Sequence, residues 1–309
     1  MSTNQSKLPV ILITGKSGQV GFELQRALST VGEVVALGHA DCDLADEQAL
    51  RRIVQQIRPD IIVNPAAYTA VDKAEKEADL AYAINARAPG VLGEEAVKLG
   101  AWVIHFSTDY VFDGEKSGAD VESNTYNEED QTNPQNVYGQ TKLDGELALA
   151  ASGARHLIFR TSWVVGAHGG NFAKTMLRLA ADRDSLNVVA DQYGAPTSAA
   201  LLADLTAQII RQAQIKGLDD FPFGLYHVSG SGDTNWCEYA QFVIAEAHKA
   251  GKQLKTTPEN VHPIAASSYP TPAKRPINSR LNTQKFRAAF GLAIPDWKQS
   301  LSHILKQIG

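Results

Sequence analysis

The hydrophobic positions fall into short, nearly all-apolar runs separated by longer amphipathic stretches. Residues 10–14 (VILIT), 33–37 (EVVAL), 60–67 (DIIVNPAA), 101–106 (AWVIHF) and 155–160 (RHLIFR) are of the first kind. Such runs suit strands buried on both faces of a parallel sheet, where apolar–polar alternation is lost. Between them lie segments with helical spacing: 22–31, 47–58 ended by Pro59, 75–99 ended by Gly100, and 138 to about 151. Proline and glycine at those positions are helix stops. Strand and helix thus alternate from residue 10 to 163, which predicts an α/β fold built on a doubly wound parallel sheet.

After Trp163 the pattern becomes mixed. Helices are expected at 171–182, 199–214, 235–250 and 297–308, and strands at 186–190 and 224–228, with a proline-rich loop at 269–276. Residues 113–132 are polar and acidic without apolar periodicity and read as a surface loop. The expected division is a Rossmann-type domain over 1–166, with a return at about 199–230, and a smaller mixed α/β substrate-binding domain mainly over 167–309.

Composition narrows the class. The chain has 309 residues, 44% hydrophobic and 20% charged, as in an ordinary globular protein with a well-buried core. A net charge of −5 gives no reason to expect nucleic acid or an anionic membrane as partner. Cys42 and Cys237 are the two cysteines, with no CxxC pair, so neither a disulfide framework nor a zinc site is expected. No run approaches the ~20 apolar residues of a membrane span, and residues 1–7 read as a polar tail rather than a signal peptide. The expectation is a cytoplasmic enzyme or regulatory subunit.

Three stretches carry candidate chemistry. The first strand runs straight into Gly15-Lys-Ser-Gly18-Gln-Val-Gly21 and then a helix. Strand, glycine-rich turn and helix are the context of a dinucleotide fingerprint, with the pyrophosphate at the helix N-terminus. A P-loop is rejected, because Val10 stands where its first glycine is needed. The second strand ends in Gly38-His39, with no acid until Asp41. The absent acid favours NADP over NAD, with Lys16 or His39 available to a 2′-phosphate. At the end of the fourth strand come Ser107-Thr108-Asp109-Tyr110, where open α/β sheets bind ligands. Finally, Tyr138 and Lys142 stand four residues apart, on one face of a helix. A neighbouring ammonium favours the phenolate and fits Tyr for proton transfer to a carbonyl oxygen.

The glycine pattern, Thr108 at a strand end and Tyr138-x-x-x-Lys142, in this order, resemble the extended short-chain dehydrogenase/reductase family. HFSTDYVFDG, NVYGQTKLDGE, FRTSWV, NFAKTML, DQYGAPT and PAKRPINSRL are similar to blocks of its members that reduce a dTDP-bound 4-keto sugar. These blocks lie between residues 10 and 281. The resemblance implies NADPH-dependent reduction of the C4 keto group of dTDP-4-dehydro-β-L-rhamnose, in cell-surface polysaccharide synthesis, with NADH as the alternative cofactor. It implies NADPH lying across Gly15 to Gly21, with Ser17, Gly18, Gln19 and Val20 at the pyrophosphate, Asp43 and Leu44 near the adenine, and Ala66, Ala67 and Tyr68 beside ribose and pyrophosphate. Tyr138 would be the proton donor, Lys142 its tuner and ribose anchor, and Thr108 a hydrogen-bond donor to the same oxygen. Asp109 and Trp163 would touch the sugar, and Arg275 and Arg280 would clamp the diphosphate. Some members bind Mg2+ through glutamates at a homodimer contact. Glu23 stands at one such position but Ser185 at another, which argues against a magnesium-linked dimer and leaves a homodimer of another kind open. The alternatives are another nucleotide-sugar reductase or epimerase, or a non-catalytic NADP-binding regulatory subunit. Asp109-Tyr110 in place of Asp-Glu counts against a dehydratase.

Overall fold

Six short strands form the centre of the computed structural model, which describes residues 8–118, 120 and 123–308. The tail at 1–7 and positions 119, 121 and 122 of the acidic loop lie outside the described residues. The strands are β1 Val10–Ile13, β2 Glu33–Ala36, β3 Ile61–Asn64, β4 Trp102–Thr108, β5 His156–Thr161 and β6 Gly224–His227. Their order across the sheet is β2-β1-β3-β4-β5-β6 and every neighbouring pair is parallel. This is the doubly wound sheet that the alternation predicts.

Both faces of the sheet are covered, and the period-2 side-chain alternation assigns residues to them. Ile11, Ile13, Val63, Ile104 and Leu157 pack under the helices Gln19–Leu28 and Ala199–Lys216. Leu12, Ile62, Val103 and Ile158 pack under Glu47–Ile57, Ala88–Leu99 and Val137–Ala151. Full burial of each such side chain contributes roughly 1.5–3 kcal/mol. A separate apolar cluster joins Phe172–Asp182, Trp236–Lys249 and Trp297–Gln307 with the parallel pair Leu186–Val189 and Val261–Ile264. No described helix is long and apolar enough to cross a membrane.

Two expectations need correction, and one helix is added to them. The helix expected over 75–99 begins at Ala78 and carries a π turn at Ala83–Arg87. That turn aims Asn85 inward, where its amide accepts from Tyr68 N at 2.7 Å and donates to Thr141 Oγ1 at 3.1 Å. Residues 113–132 are not simply a surface loop. Tyr126 is buried, stacks on Phe112 with ring centroids 4.2 Å apart and donates its hydroxyl to Asp113 Oδ1 at 2.6 Å. One aromatic anchor in a polar stretch leaves no periodicity to read. The helix Gln284–Phe290, which the sequence reading does not single out, buries Phe286 and Phe290 against Tyr226 of β6.

Candidate functional site

The connections run to opposite sides of β1, to β2 on one side and back over it to β3 on the other, so a crevice opens at the carboxyl ends of β1 and β3. Gly15 makes the turn out of β1 at φ +62, and a Cβ there would lie 2.9 Å from the Ala66 Cβ beyond β3. Gly21, one turn into the helix, would put a Cβ 2.1 Å from the Gly15 carbonyl oxygen. The helix Gln19–Leu28 starts at Gly18 with no side-chain cap and no acid in its first turn. Its N–H groups and positive dipole end are therefore left for an anion. They border a cavity of about 530 Å³ that Ser17, Asp43, Leu44, Ala66 and Ala67 also line, with Tyr138 and Lys142 among the lining residues as well. Tyr68 is placed differently: its hydroxyl bonds Glu77 Oε2 at 2.5 Å and its backbone is tied to Asn85. A Gly21→Ala variant should lose NADPH affinity by at least tenfold in a fluorescence titration, because overpacking of this kind costs about 1–3 kcal/mol. Unchanged affinity would show that the turn does not bear on the cofactor.

At the end of β2 the carboxylate that comes late in sequence folds back. Asp41 Oδ2 accepts from the Gly38 amide at 2.8 Å and pairs with Lys16 Nζ at 2.6 Å. The Lys16 hydrogen bond is the main reason its acidity is increased. Lys16 is thus held at the cavity rim by an acid three residues beyond the strand-end glycine, while His39 is largely exposed.

The helix Val137–Ala151 begins where Asn136 Oδ1 accepts from Gly139 N at 2.8 Å. It rests directly on the turn Asp109–Val111: a Cβ on Gly139 would lie 2.2 Å from the Tyr110 carbonyl oxygen. This contact brings the Tyr138 hydroxyl beside that of Thr108. Thr108 Oγ1 in turn donates to Asp109 Oδ1 at 3.0 Å. Burial pushes the Tyr138 phenol well above its ordinary value, opposed by Thr108, so it keeps its proton at neutral pH. Burial likewise pushes the Asp109 carboxyl up to about 6. Lys142 is buried, and its ammonium donates to Phe106 O at 2.6 Å and meets His105 Nε2 at 3.2 Å rather than Tyr138. Burial lowers it to about 8, and the nearby charge of Glu146 opposes that shift. Glu146 is bound by Arg160 through contacts of 2.9, 3.2 and 2.6 Å, with both side chains buried.

A second cavity of about 740 Å³ adjoins this point, lined by Tyr110, Phe172, Met176, Val188, Trp236 and Arg275 among others. The rings of Tyr110, on this cavity, and Tyr138, on the first, are 5.4 Å apart edge to face. Arg275 pairs with Asp72 Oδ2 at 2.7 Å. Two expected ligand contacts are placed elsewhere. Trp163 stacks on Trp236 at 3.7 Å, and it is Trp236 that lines the cavity. Arg280 pairs with Asp233 at 2.7 Å, lies 4.4 Å from the Tyr193 ring centre and borders a different cleft. Tyr110 could have been found by its place after Asp109; for Trp236 and Phe172 the sequence offers no signal, because only the tertiary stack brings them there. Glu23 lies beside Arg26 at 3.4 Å, and no group of three or more His, Cys, Asp or Glu able to hold a metal occurs among the described residues.

A family model described as RmlD substrate binding domain matches residues 9–309. A dTDP-4-dehydrorhamnose reductase of Escherichia coli K12 is 51% identical over 302 residues, covering 96% of this chain and 97% of that protein. One of Burkholderia thailandensis is 42% identical, covering 96% and 98% of the two chains. Among solved structures, the dTDP-4-dehydrorhamnose reductase of Bacillus anthracis in complex with NADP is 34% identical with a TM-score of 0.86, over 97% of this chain and 99% of that one.

Proposed function

The chain belongs to the RmlD substrate binding domain family, and from that premise we propose that it uses NADPH to reduce the C4 keto group of dTDP-4-dehydro-β-L-rhamnose, giving dTDP-L-rhamnose. The observation that carries this reading is the meeting of Tyr138 and Tyr110 where the glycine-turn cavity adjoins the second cavity. A reductase needs its proton donor at that junction, between the cofactor and the sugar. The uncapped helix start and the absence of any Cβ at Gly18 and Gly21 fit a dinucleotide pyrophosphate.

Residues 1–166, with the return at about 199–230, make the cofactor half in this reading, and the remainder the sugar half. When bound, the nicotinamide supplies the hydride. Tyr138 gives its proton to the alkoxide that forms at C4, a stronger base than a phenolate. Thr108 becomes a second donor to that oxygen when its one proton turns from Asp109 to the alkoxide, so both donors act where charge develops. Lys142 holds the ribose with the N–H that its internal contacts leave over. Asp109, through Thr108, fixes the direction of that hydroxyl. Arg275 matches the substrate diphosphate by its planar fork, and Trp236 and Tyr110 offer flat apolar faces beside it. Trp163 supports this surface from behind by stacking on Trp236.

The experiment is direct. Purified protein given enzymatically made dTDP-4-dehydro-L-rhamnose should oxidise NADPH, with NADH tested beside it; absence of oxidation with either would end the reductase reading. The rate should also fall on the alkaline side. Lys142 has a lowered affinity for its proton, about 8, so its charge is present below that pH and lost above it. A profile of kcat/KM flat through pH 9 would remove Lys142 from the mechanism.

A further inference from the structure

The carboxyl ends of three neighbouring strands carry a row of buried polar side chains that the proposed reaction leaves unused. Thr14 follows β1, Asn64 ends β3 and His105 lies opposite Asn64 in β4; all three are at most 2% exposed. Thr14 Oγ1 lies 2.5 Å from Asn64 Oδ1, Asn64 Nδ2 lies 3.0 Å from His105 Nδ1, and His105 Nε2 lies 3.2 Å from Lys142 Nζ. Thr14 and Lys142 both line the cofactor cavity, so the row is a buried bridge between two parts of its wall.

We propose that His105 is a positioning residue for the reductase, fixing Lys142 Nζ and governing how readily it keeps its charge. The proposal rests on the reading of Lys142 as ribose anchor given above.

Burial and the Lys142 charge hold the His105 ring neutral, with a pKa well below its ordinary value. A neutral imidazole has one N–H and one lone pair, so its two nitrogens cannot both accept. When Lys142 is an ammonium, Nε2 accepts from it and Nδ1–H donates to the Asn64 amide, turned to present its oxygen. When Lys142 is an amine, Nε2–H donates to Nζ, Nδ1 accepts from Asn64 Nδ2, and Asn64 Oδ1 accepts from Thr14. Every member finds a partner in either state, which a buried polar row requires. In the charged state Phe106 O and His105 take two of the three ammonium N–H groups, and the third is left for the cavity. An apolar ring at position 105 would leave the buried ammonium one internal acceptor and disfavour its charge.

The other charged or titratable groups near these two are Glu146 on the Lys142 helix, Arg160 of β5 that binds it, Tyr138 one turn earlier, and His156 at the start of β5. The hydrogen bonds of His105 go to Asn64 and Lys142 and to none of these groups.

The test reads the charge of Lys142 itself. Protein labelled with 13Cε-lysine is titrated by NMR, with the Lys142 signal assigned by its loss in Lys142→Met. His105→Phe should lower the midpoint by about one pH unit, a tenfold change in proton affinity. His105→Gln, whose amide oxygen can accept in place of Nε2, should stay within about 0.3 unit of wild type. The alkaline limb of kcat/KM should move in step. His105→Leu substitutes if the Phe variant does not fold. A midpoint unmoved in the apolar variant, or moved equally in His105→Gln, overturns the proposal. A wild-type protein that fails to oxidise NADPH ends the reductase reading, while the NMR titration still decides the role of His105.

Discussion

Tyr138→Phe should lower kcat by about 10²–10⁴-fold while the NADPH dissociation constant stays within about twofold. The magnitude is that of a lost general acid. The substitution removes one oxygen and leaves the ring, so the edge-to-face contact with Tyr110 at 5.4 Å remains. Thr108 also remains, accepting from the Tyr110 amide at 3.2 Å, and its one proton can turn from Asp109 to the alkoxide. One donor to the alkoxide therefore survives, which is why the loss should stop short of the uncatalysed rate. Steady-state kinetics together with a fluorescence titration of NADPH make the measurement. A variant retaining more than a tenth of wild-type kcat would mean that the proton comes from elsewhere, and Asp109, raised to about 6, would be the first candidate.

Glu146→Ala should cost about 3–5 kcal/mol of stability, because it leaves the Arg160 guanidinium buried without its counter-charge. Both side chains are about 5% exposed and three nitrogen–oxygen contacts join them. Arg160 Nη1 already has no protein partner, so little remains to satisfy the cation once the carboxylate is gone. The Phe112 ring lies 5.0 Å from the guanidinium carbon, and Glu128 is a further carboxylate close enough to feel its charge. Thermal denaturation should show a Tm lower by roughly 10 °C, and removing the charge as well, in Glu146→Leu with Arg160→Leu, should recover much of it. A single variant melting within about 2 °C of wild type would contradict the assignment.

Much of the fold is legible along the chain because the parallel sheet is buried on both faces. Its strands must be apolar at nearly every position, and Pro59 and Gly100 punctuate the helices between them. The glycine turn is legible for a related reason. Gly15 and Gly21 have no room for a Cβ, so that local geometry demands glycine at fixed spacing. Tyr138 and Lys142 follow from helical periodicity, and Thr108 from its place at a strand end. The π turn at Asn85 was not legible: its cause is the long-range bonding of one amide to Tyr68 and Thr141. Tyr126 and Phe286 were missed likewise, since single aromatic anchors find their partners only across the fold.

By itself, then, the order of residues determined the sheet, the glycine turn and the placing of Tyr138 and Lys142 on one helix face, because each depends on local sterics or on a short repeat. Only tertiary structure decided what surrounds Tyr138 and Lys142. It set Thr108 and Asp109 behind the phenol, turned Lys142 toward Phe106 and His105 instead of Tyr138, put Trp236 rather than Trp163 on the second cavity, and sent Arg280 to Asp233. The physical reason is that a side chain's charge and direction follow from which distant groups share its desolvated space, and no spacing along the chain encodes that.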